Sequence, residues 1–459
     1  MQQPSPYVWT IPRVPANSLL GRMAAWPGPH IWQHVSATER GWLEALAWLL
    51  ALAWILRTSD ALRSLPTLPW LTGVECDLEP QHAPSLTVIV PARDEEAKIA
   101  ATLEALLASD YAALRIVAID DRSTDQTGTI MDRIADAAAV SHPGRLEVLH
   151  VQELPEGWLG KVYAMELAMQ HSRSEYILFT DADVLFSPSI LRRSVAYAEA
   201  SEADHLVVLP TMQSESWGES MMLGYLHLFS LWASRLWKVA DPRAKRDIIG
   251  VGAFNLVRRS TLEELGGLPP QRMTILEDIT IGRRMKAAGM RQRVAFAPGL
   301  VLVHWASGAR GIVRVMTKNL FSAFNFRPLL LLGACGGLAV IFLLPLLGLF
   351  WWSTMVPALL VLACVGAYYR MQGEVSLVPA RYAWLYPAGA VLFIAAMLRS
   401  MAVTLVRGGV RWRGTFYSLR ELRQHNSPFV WEREAEKLRD ERRRLAKAVR
   451  RQARKDAQG

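Results

Sequence analysis

The sequence predicts an α/β domain, built on a mainly parallel sheet and flanked by transmembrane helices. Three observations carry that expectation. Short apolar runs alternate with helix-patterned segments through residues 83–310, as they do when strands are joined by crossover helices. Long apolar runs stand on both sides of that block. The run Tyr176-Ile177-Leu178-Phe179-Thr180 ends in Asp181-Ala182-Asp183, two carboxylates one residue apart at a strand end. Such an oxygen-rich site suits Mg²⁺ or Mn²⁺, and the metal suits a diphosphate.

Composition bounds the class. The chain has 459 residues, of which 51% are hydrophobic and 20% charged, with 17 Trp and a net charge of +9. That is apolar for a soluble protein, and the tryptophans fit membrane-interface anchoring. A basic balance fits anionic lipid as well as nucleic acid. Cys76, Cys335 and Cys364 lie far apart with no C-x-x-C spacing, which argues against a zinc site or a disulfide framework.

Each segment follows in order. Residues 1–40 are rich in Pro, lack periodicity and should be poorly ordered. Residues 41–57 read as a transmembrane helix, with Trp42 and Arg57 as interfacial anchors. The apolar stretch Trp42–Leu56 is short against the ~20 residues a bilayer needs, and it lacks a cleavage site of small residues. Within 83–310, strands are expected at Leu86–Val90, Leu114–Ile119, Leu146–Val151, Tyr176–Thr180 and His205–Leu209. Helices are expected at Glu95–Ser109, Asp125–Ala139, Lys161–His171, Pro188–Ala200 and Ile279–Gly289. The Trp- and Met-rich segment Ser216–Val239 fits either a helix on the membrane surface or a core helix. Residues 311–328 should form an interfacial helix, and 329–406 a membrane region of two to three helices. There Leu329–Trp352 spans with a kink at Pro345, Val356–Tyr369 is short, and Trp384–Val406 carries Arg399. Residues 407–459 form a basic cytoplasmic tail, usually a solvated helix; without aromatic interleaving it gives no ground for nucleic-acid binding.

Four further segments carry chemistry. Val88-Ile89-Val90-Pro91-Ala92-Arg93-Asp94-Glu95-Glu96 takes a strand into a helix, with Asp94 able to cap it. Ile119-Asp120-Asp121-Arg122-Ser123-Thr124-Asp125 puts an acidic pair where it could accept hydrogen bonds from a base or a ribose. Gly157-Trp158-Leu159-Gly160-Lys161 is no Walker A loop, yet Lys161 opens a helix, and a cation at a helix N-terminus favours phosphate. Leu276-Glu277-Asp278 starts a helix, with Asp278 a candidate general base and an ordinary first-turn acid as the bland alternative. Upstream, Gly250-Val251-Gly252-Ala253 would let a ligand approach the backbone, but it lacks the third glycine of a dinucleotide fingerprint, and a nicotinamide oxidoreductase fails on that ground.

In this order the segments resemble the family 2 glycosyltransferases of the nucleotide-sugar-binding GT-A fold, over residues 86–330. The Gly-Trp-Leu-Gly-Lys stretch and the flanking apolar runs look most like the bacterial hopanoid-associated and carotenoid glycosyltransferases. The resemblance implies that Pro91, Ala92 and Glu95 line the nucleoside pocket. It puts Asp121 on the base, usually uracil, with Asp120 beside it, and Lys161 near the diphosphate. Asp181 would touch ribose or metal, Asp183 would bind Mg²⁺ or Mn²⁺ directly, His304 would reach the metal or diphosphate, and Asp278 would be the base. The Q-x-x-R-W of processive polysaccharide synthases is missing, which argues against a long-polymer product; Asp94 stands where many members have Asn.

The implied activity is inverting transfer from a nucleotide-sugar, a UDP-sugar first of all, to a hydroxyl of a membrane lipid such as a hopanoid or carotenoid-type acceptor. The alternatives are a polyprenyl-phosphate acceptor on the same fold, or an inactive membrane scaffold. The implied location is a bacterial-type inner membrane, multi-pass, with the catalytic block cytoplasmic. Arg407, Arg411 and Arg413 should also lie inside by the positive-inside rule, which requires an even number of crossings after the block. Val356–Tyr369 is therefore expected to be a re-entrant or surface segment, and the N-terminus to lie outside.

Overall fold

The computed structural model describes residues 36–425 together with 437–440, 442 and 444. The expectations for residues 1–35, and most of those for the basic tail, fall outside the described residues. The strands are β1 (Leu86–Ala92), β2 (Leu114–Asp120), β3 (Leu146–His150), β4 (Tyr176–Phe179), β5 (Val184–Phe186), β6 (His205–Leu209), β7 (Thr211–Met212), β8 (Asn255–Arg258), β9 (Gln292–Phe296), β10 (Val301–Val303), β11 (Gly409–Trp412) and β12 (Thr415–Ser418). The helices are α1 (Ala37–Ser64), α2 (Ile99–Leu107), α3 (Thr127–Ser141), α4 (Gly160–Gln170), α5 (Ile190–Ala200), α6 (Trp217–Ala233), α7 (Arg259–Glu264), α8 (Glu277–Ala287), α9 (Gly308–Ala323), α10 (Pro328–Phe350), α11 (Trp352–Ser376), α12 (Tyr386–Arg407) and α13 (Leu419–His425).

Seven strands form the main sheet in the order β3-β2-β1-β4-β8-β6-β9. The pairs β3–β2, β2–β1, β1–β4 and β6–β9 are parallel, while β8 runs antiparallel to both its neighbours. All five expected strands are present. The reversed strand is the departure: β8 is only Asn-Leu-Val-Arg, too short to leave a period. Every residue of β1 is buried, as a strand covered on both faces requires. Alternation divides it, with Val88 and Val90 packing with α2 and α5 and Ile89 facing the other side.

That other side has no boundary with the long apolar helices. Ile89, Val117 and Ile119 join Val162 and Met165 of α4, then Met221 and Tyr225 of α6, then Trp54, Phe342, Tyr368 and Phe393 in one buried cluster. Trp54 meets Phe342 edge-on at 5.4 Å and Tyr368 at 6.0 Å; Tyr225 meets Phe342 at 5.4 Å and Phe393 at 5.6 Å. So α6 is a core helix rather than a surface one, because α11 and α12 cover it.

Four helical segments, Thr38–Thr67, Pro328–Phe350, Trp352–Ser376 and Ala380–Arg407, are long and apolar enough to cross a membrane. Two expectations need correction. The apolar stretch Val356–Tyr369 is not a short element: α11 runs 25 residues, because its polar end finds partners, Gln372 donating to the Gly224 carbonyl at 3.2 Å. Arg57 is not a lipid-interface anchor either. It donates to the carbonyls of Trp232 and Ser234 at 2.7 and 2.8 Å, closing the C-terminal end of α6. Near Pro345, α10 takes a π turn over Ala339–Leu343, as the missing proline N–H demands.

Candidate active site

In open α/β sheets, ligands bind outside the carboxyl ends of the strands, where the strand order changes direction. Here that point lies between β1 and β4, since β2 and β3 continue on one side and β8 on the other. The loops that follow β1, β2 and β4 carry most of the acidic residues singled out above.

Pro91 and Ala92 end β1 and are buried. The next loop is tied to the one after β2. The Glu95 and Glu96 amides donate to Thr127 Oγ1 and Asp125, and Asp94 Oδ1 accepts from the Thr124 amide at 2.7 Å. Asp94 thus bridges two loops and does not cap α2, which begins at Ile99. Burial first, then the Asp183 charge, push Glu95 above the usual carboxylate range.

Asp120 and Asp121 part company. Asp120 accepts from the Ser123 amide at 3.0 Å and faces the His150 ring at 3.2 Å, so it is engaged within the protein. Asp121 is fully buried; its Oδ1 accepts from Arg122 Nε at 2.9 Å, and its Oδ2 has no partner. A Cβ on Gly160 would stand 2.2 Å from that Oδ2, so only glycine lets the start of α4 come this close.

Lys161 is the centre of the charged cluster. Its Nζ donates to Asp181 Oδ1 at 2.6 Å and pairs with Glu277. Burial works against its charge, but Asp181, Glu277 and Asp278 hold it protonated far above the ordinary range. Asp181 is also buried against its charge, yet Lys161 keeps it ionised below the usual range. Lys161 is therefore neutralised by carboxylates in this state, which spacing alone did not indicate. Glu277 was passed over as a neighbour of Asp278; no sequence signal set it apart.

Asp278 sits in the first turn of α8, where its Oδ1 accepts from the Ile279 amide at 2.7 Å. Burial, then the Glu277 charge, push its carboxyl up to about 6. The loop Gly250–Ala253 threads between the two acidic positions. A Cβ on Gly252 would meet the Asp181 carboxylate at 2.7 Å, and one on Gly250 would meet the Asp278 carbonyl oxygen at 2.1 Å. Gly252 thus lies against the Asp181 carboxylate and Gly250 against the backbone of Asp278, whose carboxyl is close enough to feel the Asp181 charge.

Asp183 lies two residues beyond Asp181 and meets Lys98 Nζ at 3.1 Å. Burial, then the Asp181 charge, push Asp183 up, with Lys98 opposing. Two hard carboxylates whose repulsion a cation would relieve fit Mg²⁺ or Mn²⁺. His304 does not join them. Its Nε2 faces Glu219 at 3.2 Å, and its backbone carbonyl, not its ring, accepts from Lys98 at 3.1 Å. Among the described residues no three His, Cys, Asp or Glu side chains gather round one point. Of the expected ligands Asp181, Asp183 and His304, the two carboxylates lie two residues apart, while the His304 ring is engaged by Glu219. Glu219 holds the rim together: despite burial, the Glu215 and Gly308 amides lower it to about 2.

The family described as glycosyltransferase like family 2 matches residues 83–324. The 4,4'-diaponeurosporenoate glycosyltransferase of Staphylococcus aureus (strain bovine RF122 / ET3-1) is 32% identical over 103 residues, 22% of this chain and 24% of that protein. The chain therefore matches about a quarter of the length of this curated relative. Among solved structures, the mannosyltransferase PcManGT of Pyrobaculum calidifontis, in complex with GDP-Man and Mn2+, aligns with 79% of this chain and 99% of its own at TM-score 0.48 and 21% identity. TarS 1-349 of S. aureus in complex with UDP-GlcNAc aligns with 73% of this chain and 96% of its own at TM-score 0.36 and 15% identity.

Proposed function

The chain belongs to the glycosyltransferase-like family 2, and from that membership we propose that it moves a sugar from a nucleotide-sugar, a UDP-sugar first of all, to a hydroxyl of a membrane lipid with inversion. The observation that carries the reading is the position of Asp278. It is a carboxylate raised to about 6, close enough to Lys161 and Asp181 to feel their charges, in a block whose core is continuous with apolar helices.

The buried, unpartnered Asp121 Oδ2 would accept from the base, next to Pro91 and Ala92. Asp183 and Asp181 would hold Mg²⁺ or Mn²⁺, which when bound neutralises charge on the diphosphate. Asp278 takes the proton of the acceptor hydroxyl as its oxygen bonds to the anomeric carbon. The bond from that carbon to the diphosphate oxygen breaks on the opposite face, and the nucleoside diphosphate leaves with the electron pair. The lipid acceptor is supported by the shared core: a helix that lines the block, α6, is itself packed by α11 and α12. On this reading the block faces the cytoplasm, where nucleotide sugars are found.

The test is incubation of the purified chain with radiolabelled UDP-sugars and membrane lipid extract. Label in the lipid phase, stable to the mild acid that cleaves a phosphate-linked sugar, supports a hydroxyl acceptor. Acid-labile lipid label would favour a polyprenyl phosphate instead, and label in no lipid would reject the reading.

A further inference from the structure

Beyond the segment that matches the family, the chain returns to the site. Strands β11 and β12 form an antiparallel hairpin with Trp412 paired to Thr415, so Arg413 and Gly414 make a two-residue turn. Both have positive φ, +48° and +77°, the pattern of a type I′ turn that favours Asn or Gly at its first position. An arginine held there is strained, and strain of this kind gathers at functional sites.

Three contacts seat the hairpin on the catalytic block. The Gly160 amide donates to Tyr417 Oη at 3.3 Å, one residue before Lys161. The Lys318 ammonium stands 4.4 Å from the centre of the Trp412 ring. A Cβ on Gly414 would lie 3.1 Å from Arg93 Nη2, which puts the turn beside the end of β1. Arg413 is close enough to Glu95 and Asp181 to favour their ionised forms.

This corner holds cationic donors with nothing to bind. Among the described residues, Arg413 Nη1, Arg93 Nε and Nη1, and Arg122 Nη2 are buried and find no hydrogen-bond partner. The nearest acid to Arg93 Nε is Asp94, at 3.8 Å. Buried guanidinium N–H groups are costly to leave unpaired, and their fork matches phosphate oxygens.

We propose that the Arg413 turn is one wall of the donor site, where Arg413 and Arg93 bind the diphosphate of the nucleotide-sugar. The inference rests on the donor reading above and adds to it. The donor site is not complete within the family-matched segment 83–324; it needs a hairpin delivered by α12. Donor binding is thereby linked to a membrane-associated helix.

The strained turn supplies a clean test, because Arg413→Gly removes the cation while relieving the backbone. Binding of UDP, GDP, ADP and dTDP, and of the four free nucleosides, is measured by calorimetry on the full chain in detergent, with Mn²⁺ and with EDTA. Arg413→Gly should keep or raise Tm and weaken the preferred nucleoside diphosphate by about ten- to a hundredfold, leaving the nucleoside unchanged. Arg413→Lys should recover part of the loss. Unchanged diphosphate affinity in Arg413→Gly, or equal losses for diphosphate and nucleoside, would overturn the assignment while leaving the donor reading intact. The same would follow if binding to phosphatidic acid vesicles fell and diphosphate binding did not, since the cluster would then serve lipid phosphate. A wild-type chain that binds none of the four diphosphates would overturn the donor reading, and this wall with it.

Discussion

Asp278 and the pair Asp181 and Asp183 differ in what their removal should do. Asp278→Asn keeps the shape of the side chain but cannot take a proton. Transfer should fall at least about a hundredfold, while calorimetric binding of the donor nucleotide is kept. The pH profile gives the same residue a second test. With its carboxyl at about 6, Asp278 is a base only when ionised, so kcat/KM should rise with pH through about 6 and level off above it. Below that value the rate should drop tenfold per pH unit, and a profile flat from pH 4.5 to 7.5 would remove Asp278 as the base. Asp183→Ala should abolish transfer and leave thermal unfolding unchanged, and EDTA should silence wild type; full turnover in EDTA would end the metal role. These acids were legible in the sequence because each ends an apolar strand or opens a helix, the positions that meet at the carboxyl side of an α/β sheet. Lys98, Glu277 and Arg413 were not. Each reaches the site from an ordinary helix or turn, and only the fold brings Lys98 to Asp183 across 85 positions.

At the scale of elements, strands announced themselves by apolar runs and helices by their periodic patterning, but partners were invisible. Ser216–Val239 could be read as surface or core, because its Trp and Met content suits both, and only α11 and α12 decide it. The hairpin β11–β12 was hidden inside what reads as a basic tail: Arg411 and Arg413 look like solvated charge, although Val410, Trp412 and Tyr417 are buried. The shared core makes a prediction of its own. Trp54 is fully buried in α1, and its Nε1 donates to the Ile341 carbonyl at 3.1 Å, whereas Trp48 is half exposed. Trp54→Ala should destabilise by about 3–5 kcal/mol, seen as a lower Tm in detergent, and Trp48→Ala should leave Tm unchanged. Unfolding of the catalytic block that ignores Trp54→Ala would mean that block and helices are separate units.

At the scale of the molecule, the positive-inside argument requires an even number of crossings after the catalytic block, and by apolar length alone Val356–Tyr369 is the segment that does not cross. The packing favours a different choice. The start of α11 lies by the start of α1, with Arg40 5.7 Å from the Trp351 ring, and α11 also packs against β7 of the catalytic block. Helix α12 instead has both ends on the block, through the turn Ala380–Leu385 against α6 and through Tyr417 at Gly160. It lies along α9, with Ser400 donating to the Thr317 carbonyl at 2.6 Å, and carries Arg399 exposed, which is costly in mid-bilayer and ordinary among headgroups. We therefore expect α10 and α11 to cross and α12 to lie at the cytoplasmic surface. On intact cells an impermeant thiol reagent should label Ser353→Cys and spare Leu377→Cys; labelling at both positions would restore the re-entrant α11. A charged cluster at the carboxyl ends of the strands, a core shared with long apolar helices and the proposed base Asp278 together describe one reaction. The most direct measurement follows radiolabel from a panel of UDP-sugars into lipid, with wild type and Asp278→Asn compared and the anomeric configuration of the product read by NMR. Wild type should give a lipid-phase product of inverted configuration, and Asp278→Asn almost none. A retained configuration, equal activity in the variant, or label confined to free sugar would show that this protein is not an inverting lipid glycosyltransferase working through Asp278.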